Sequence, residues 1–555
     1  MKNIQLLLSI ALLLAGSAFS QNDPLGDKDK FTLENERIED VITSDKPYLP
    51  LPAEEIQTRD SSAMMYNSQE VYVETDFQPA PPNPVSWKTE DKTNPYNNYV
   101  KAGLGRYITP LFQLYLHQGI GEEYDYGLNF THLSAHDDAI TYRRFREDYG
   151  TFTAGYLTAD HKYVGKVNVY NTTYFPYADS ILNFGDTLPD TQVDRLEDSL
   201  RTGFTQLGVS ANMIRNYVPD QQINYNLGLN LELFTGRLDT REFHATLSPT
   251  GSYKFNDDLN LDLGSDFTFT SARIDSQGQT RVFMDLGPML RYIGDAFEVK
   301  GGFRFNFYNN NADTASQTAF VPLVEFRYYV VPNEVTAFAG FSGGMTYNRY
   351  FDMARTNRFL SNEIVIRPTI ELMNIYAGVS GNYTERLDYN AKVSYRRVED
   401  QLIFVAPENG TTFQAVYDSL MTDIGLELEA NYDLLKELKV GTRLEYHIFN
   451  TSQVEEFFHA TPLTLGVYGA YVWQEKLTVA AELNSFSPTP MALDGEGEVI
   501  ERSTFVDMNL SADYRLGERF SIWAEFNNLF NGNWQRWYNY DERPLDFKAG
   551  ATFVF

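Results

Sequence analysis

Cysteine is absent from the 555 residues. That excludes disulfides, thiolate metal sites, cysteine nucleophiles and a lipoprotein anchor. Long apolar runs are missing as well. No stretch reaches the roughly 18 apolar residues that a spanning helix needs, so no helix is expected to cross a membrane. Positive charge is scarce: 45 Lys and Arg stand against 75 Asp and Glu, a formal net charge of −30. Such an acidic balance argues against nucleic acid as a partner. It fits a solvated, self-repelling surface, or a lumen or outer loops tuned to cations.

What the chain does have is aromatic side chains. They make up 15% of the residues, with 37 Tyr and 39 Phe. Tyr and Phe favour strands, and aromatics collect at membrane–water interfaces. The mean hydropathy is −0.37. A membrane barrel gives such a value naturally, because every second residue faces a polar lumen.

Three segments follow from the pattern. Met1 to Ser20 reads as a signal peptide. Lys2 supplies its charge, Ile4 to Leu14 its apolar run, and Ala18 and Ser20 the small residues before a cut at Gln21. Residues 21–95 hold 9 of the 23 prolines and 16 acidic against 7 basic residues. This acidic, Pro-rich segment is expected to be extended or disordered, periplasmic or in the lumen, with two short candidate strands at Asp40–Pro52 and Ser68–Phe77. Residues 96–555 are expected to form a transmembrane β-barrel.

The barrel expectation rests on period-two alternation. Ile223, Tyr225, Leu227, Leu229, Leu231 and Leu233 share one face; Asn224, Asn226, Gly228, Asn230 and Glu232 share the other. The same pattern recurs at Leu259–Phe269, Asp423–Leu435, Leu438–Ile448, Val506–Tyr514 and Leu545–Phe555. These runs are long enough to cross a membrane with tilt. Ten short polar turns, from Gly119–Glu123 to Arg515–Arg519, alternate with longer connections. The long ones are Pro176–Arg201, Tyr350–Pro368, Val398–Leu420, Pro488–Ser503 and Asn531–Pro544. Outer-membrane barrels have short periplasmic turns and long outer loops. The count comes to 22 antiparallel strands if Gln401–Ser419 is a hairpin within an outer loop. The first connection, Tyr107–Pro110, is short for an outer loop.

Several motifs bear on function. The chain ends KAGATFVF, with Lys548, Gly550, Phe553 and Phe555 at the positions of a C-terminal assembly signal. Its mechanism is edge pairing: an exposed strand adds to the sheet of the barrel-assembly machinery. Asp40, Val41, Ile42 and Thr43 lie in an acidic, β-branched stretch that either adds as a strand to a periplasmic partner or is plain linker or a lumen-lining strand. His132 and His136, followed by Asp137, are the one histidine cluster; both rings are expected to point inward at the outer rim, as a metal pair or as a polar strand end. No cofactor is expected. Gly-rich stretches around Ser342 and Ser380 lack the strand–turn–helix setting of a nucleophile elbow, so no enzyme is expected; Gly there fits a crowded lumen or a bulge. Trp534–Tyr540, WQRWYNY, reads as an interface girdle or as a ligand platform.

The closing residues Phe505–Phe555 resemble the terminal hairpins of TonB-dependent receptors. FNNLFN at Phe526–Asn531 and the Tyr540–Pro544 spacing carry the likeness. Asn97–Leu116 and Asn357–Asn390 resemble short, plug-less members of that group. The resemblance covers roughly Asn97–Phe555. It implies a 22-strand barrel in the cell outer membrane, surrounded by outer-membrane lipid, that takes up solute with TonB as partner. The chain departs from the family pattern in one respect. Only the 21–95 segment precedes the barrel, so no standard plug domain is expected, and the lumen must be filled by that segment, by outer loops or by another outer-membrane or periplasmic protein. The alternative is a non-transporting structural or assembly subunit whose lumen is plugged by itself or by a partner.

Overall fold

Alternating apolar and polar residues make a strand with one face for lipid and one for water. In a bilayer such strands are stable only as a closed ring, because an unpaired N–H or C=O in hydrocarbon costs several kcal/mol. The computed structural model shows that ring. It describes residues 98–555, apart from 120–122, 137–143, 177–200, 217–220, 237–239, 276, 313–315, 333, 385 and 407–411. The expected signal peptide, the 21–95 segment with Asp40–Thr43, and Asp137 lie outside the described residues.

Twenty-two strands form one sheet. Each is antiparallel to its neighbours, and the first, Tyr99–Gly105, closes on the last, Asp546–Val554, with Tyr99 opposite Val554 and Gly103 opposite Gly550. Gln401–Val405 pairs only with Gln414–Asp418, outside the ring, so the outer-loop hairpin is present and the count of 22 holds. Two more hairpins, Thr489–Leu493 with Val499–Arg502 and Gln535–Trp537 with Tyr540–Asp541, also stand outside the ring.

All ten short turns join consecutive barrel strands at one end. The opposite end is less regular than expected. It carries the long connections, but also a tight link where Ile274 pairs with Gln277, and the short first connection between Gly105 and Thr109. Tyr107 and Ile108 turn that corner with positive φ. Within one long connection the strand Leu387–Glu399 runs past Val398 before the hairpin begins.

The faces sort as the alternation requires. Leu227, Leu229, Leu231 and Leu233 are 37–50% exposed on the outside of the ring, as lipid-facing residues must be. Tyr124, Tyr156, Tyr163, Tyr253, Tyr292 and Trp473, all exposed, ring the end with the short turns. They form an aromatic girdle at the periplasmic interface, with Tyr124 stacked on Tyr156 at 4.8 Å.

Glycine serves the crowded inner face. Gly103 and Gly550 oppose each other at the closing seam, and Trp523 lies opposite Gly550 on the next strand. A Cβ on Gly550 would stand 2.6 Å from Gly103 Cα and 2.7 Å from the Trp523 ring. Lys101 lies 4.1 Å above that ring and pairs with Glu525, which also holds Lys548 at 3.6 Å. Phe553 and Phe555 point outward, stacked at 5.7 Å. The register of the Val335–Thr346 strand shifts between Ser342 and Gly344, so the glycines there do mark a bulge. Gly344 has φ +139°, a conformation other residues rarely adopt.

Candidate functional site at the outer mouth

The described outer loops do not simply stand up from the rim. The connection between Thr346 and Thr369 turns inward and carries a seven-residue helix, Tyr350–Thr356. Tyr350, Phe351, Met353 and Ala354 of this helix are buried. They pack on inward-facing residues near the outer ends of the wall strands, chiefly Tyr174, Phe204 and Phe234. Phe351 meets Phe204 edge-on at 6.0 Å, and Tyr350 lies 5.6 Å from Phe234.

Polar groups fix the same helix. Arg281 and Glu242 form an ion pair with side chains 0% and 2% exposed. Arg281 Nη1 donates to Asn348 O at 2.8 Å, and the Phe351 N–H donates to Glu242 Oε2 at 3.3 Å. Arg349 bridges Glu232 on the wall and Asp352 in the first helical turn, at 2.6 Å each. A carboxylate in a first turn also faces the positive end of the helix dipole. Tyr308 OH donates to Ile366 O at 2.9 Å. The wall therefore grips both ends of the loop.

Two further loops meet it. Phe413 N donates to Phe359 O and Ser361 N to Phe413 O, each at 2.8 Å, joining the 401–418 hairpin to the helix loop. Tyr540 of the last loop stacks on Phe359 at 3.5 Å, and Trp537 packs against Phe404 and Phe413. The Trp534–Tyr540 cluster is thus neither lipid-facing girdle nor exposed platform. Trp537 and Tyr540 belong to the apolar core of the mouth, and Trp534 stacks on Phe505 at 4.8 Å. In barrel order, wall and loops lie far apart round the ring, so this core bridges the mouth.

Two titratable groups lock the loops together. Asp418, at the end of the hairpin, accepts from the backbone N–H groups of Ser452, Gln453 and Val454. Burial works to raise its pKa, but those N–H groups outweigh it and hold the carboxyl below its ordinary value. His459 sits between Phe413 and Trp537, its Nδ1 3.1 Å from Phe404 O, while Tyr538 N donates to Nε2 at 3.5 Å. Burial pushes its pKa down to about 3. The neutral tautomer with hydrogen on Nδ1 satisfies both contacts; a proton on Nε2 would face the Tyr538 N–H.

Below the mouth the inner wall is ionic. Arg396 reaches Glu371 at 2.8 Å and Asp423 at 3.4 Å, and His447 Nδ1 lies 2.9 Å from Asp423. Lys300, Glu298, Glu325 and Arg327 form a second set.

The sequence-predicted site residues are not brought together. Lys548 and Gly550 lie at the seam, Lys548 inward and Phe553 and Phe555 outward. The inward placement of His132 is corrected: its row partner is Phe112, and it shares the outward face with Tyr124, Tyr126, Leu128 and Phe130. Its Nδ1 pairs with Asp148 at 2.6 Å. His136 meets Arg144 at 3.4 Å. Among the described residues no three metal-capable side chains cluster. The buried pair Arg281–Glu242 and the helix it holds were not foreseen. The available signal was a carboxylate and a guanidinium at inward positions near the outer ends of two strands, followed later by an aromatic loop.

Fold and faces define the class: a closed 22-strand transmembrane β-barrel of the outer membrane, its mouth bridged by its own loops. No protein-family model and no curated relative matches the sequence. Solved structures do match in fold. The ferric-catecholate import receptor Fiu from E. coli K12, in closed form, aligns with a TM-score of 0.63 at 11% identity over 83% of this chain and 82% of that one. The FrpB iron transporter from Neisseria meningitidis, apoprotein form, gives 0.64 at 12% identity over 82% and 81%. The copper transporter OprC gives 0.60 at 14% over 82% and 80%.

Proposed function

We propose that this barrel takes up a solute across the outer membrane as a gated receptor of the TonB-dependent type. One observation carries the reading: the mouth is bridged by loops held through a buried ion pair and an apolar core, which suits a gate and not an open porin. Likeness in fold to iron and copper transporters supports it. In this reading solute docks on the outer loops, the helix loop withdraws from the wall, and the ionic inner wall receives the solute, with no covalent change to it.

The Asp40–Thr43 segment would pair with TonB by strand addition, and the last strand would engage the assembly machinery in the same way. Outer-membrane lipid surrounds the apolar band. Conductance in planar bilayers tests the gate. The full chain should be closed. Deleting residues 347–368 should produce large conductance steps, and deleting residues 21–94 tests whether that segment also blocks the lumen. Silence in all three forms would favour a structural subunit, whereas uptake by cells that stops without TonB would support the receptor.

A further inference from the structure

Ser134, His132 and Asp148 form a chain of hydrogen bonds that transport does not use. His132 Nδ1 lies 2.6 Å from Asp148 Oδ1, and the Ser134 hydroxyl lies 3.2 Å from His132 Nε2. Strand alternation sets the second contact, because residues two apart in Tyr124–Ala135 share its outward face. The ladder sets the first, because Asp148 stands directly opposite His132 on the next strand. Arg146 Nε at 2.7 Å and Asn171 Nδ2 at 3.3 Å fix the other carboxylate oxygen, Oδ2. An ionised carboxylate only accepts, so His132 Nδ1 carries the hydrogen and Nε2 keeps its lone pair for the Ser134 hydroxyl. Hydroxyl, imidazole and carboxylate in that order are the parts of a serine hydrolase, which is recognised by geometry and not by sequence position. No nucleophile elbow is needed here, since the strand itself presents Ser134 outward.

The surroundings suit an ester at a bilayer surface. Ser134 lines a cavity of about 570 Å³ together with Pro110, Phe175 and Arg146. Arg146 is the row partner of Ser134, and its side chain is 57% exposed. The nucleophile therefore has a guanidinium beside it. One row nearer the periplasm than His132 the outward face turns apolar, with Leu114, Phe130, Val169 and Leu207. The three side chains thus stand where the lipid-facing band gives way to the headgroup region, the level at which acyl esters lie.

We propose that Ser134, His132 and Asp148 are a catalytic triad that hydrolyses the acyl ester of a membrane lipid on the outside of the barrel. Ser134 Oγ attacks the ester carbonyl carbon while His132 Nε2 takes its proton, and Arg146 faces the oxyanion. The bond from that carbon to the alkoxy oxygen then breaks, and His132 returns the proton to the leaving alcohol. Water attacks the acyl group on Ser134, passing its proton through His132, and the fatty acid leaves with Ser134 restored. Asp148 positions the imidazole and steadies its charged form. The acyl chain lies along the apolar rows below. None of this depends on uptake, so the two are tested separately.

The test uses the purified full chain in detergent micelles carrying diacyl phosphatidylethanolamine, with released fatty acid read by mass spectrometry. The wild type should release it, and a fluorophosphonate probe should label one peptide, containing Ser134. Ser134→Ala and His132→Asn should each lower release about a thousandfold or more. Asp148→Asn should slow labelling about a hundredfold or more yet reach the wild-type endpoint. A misfolded fraction would instead lower the endpoint and leave the rate. Ser380→Ala, on a distant strand, should change nothing. Heat-dependent gel migration checks that each variant is folded; if one is not, the site of the label on the wild type decides. Absence of label on Ser134, undiminished release by Ser134→Ala, or hydrolysis confined to a short soluble ester would overturn the proposal.

Discussion

Arg281 and Glu242, two strands apart on the inner wall, form a buried ion pair that also holds the first turn of the outer-loop helix, through Asn348 O and the Phe351 N–H. Removing one partner leaves the other charge buried, which costs about 3–5 kcal/mol. Glu242→Ala should therefore release the helix loop while the ring stays intact. Limited proteolysis should cut within 347–368, and the heat-stable gel form should persist. Glu242→Ala combined with Arg281→Met should restore much of the protection.

Acid should loosen the mouth in two steps. His459 has its pKa pushed down to about 3, so the docked loop keeps it neutral while the released loop, with an ordinary value near 6.5, binds a proton. Docking is at full strength above about 6.5 and weakens as pH falls below it, by about 1–2 kcal/mol at pH 5. Asp418 is held below its ordinary value of 3.8, so its contribution is present above that value and lost as pH falls further. Protection of the amides of residues 451–462 against hydrogen exchange, taken relative to the intrinsic rate at each pH, should fall between pH 6.5 and 5 in the wild type. His459→Asn should flatten that fall, and Asp418→Asn should lower protection above about pH 4, where the carboxylate is ionised.

Gly550→Val places side-chain carbon against Gly103 and the Trp523 ring at the closing seam. The last pairing should fail, and the variant should lose the heat-modifiable band of a closed barrel. Gly264→Ala supplies the comparison: a Cβ there would meet no atom within 4 Å, so closure should proceed normally.

Phe553 and Phe555 face outward and touch no part of the mouth. If they act in assembly, Phe555→Ala should slow insertion by the assembly machinery, read as periplasmic accumulation during a pulse-chase. Barrel that does insert should have wild-type thermal stability.

Much of the ring was legible because its cause is local. Alternation at Ile223–Phe234 fixes a strand and its two faces; the ten polar turns fix where strands end. His132 follows the same alternation. Its parity with Tyr124, Tyr126, Leu128 and Phe130 already put it on the apolar side, but i, i+4 spacing alone says only that His132 and His136 share a face, not which. Trp534–Tyr540 shows a different limit. Girdles and loop cores draw on the same aromatic residues, and composition cannot separate them.

The sequence by itself determined a barrel of 22 strands, its lipid-facing side chains and its periplasmic end, because each strand's register follows from its own alternation and its neighbours' turns. Only the tertiary structure decided what closes the mouth. Tyr350, Phe413 and Tyr540 lie far apart along the chain, and loops carry no period that marks their partners. Their meeting depends on the ring first bringing distant strands together, and on Glu242 and Arg281 finding in one helix the hydrogen bonds that their burial demands.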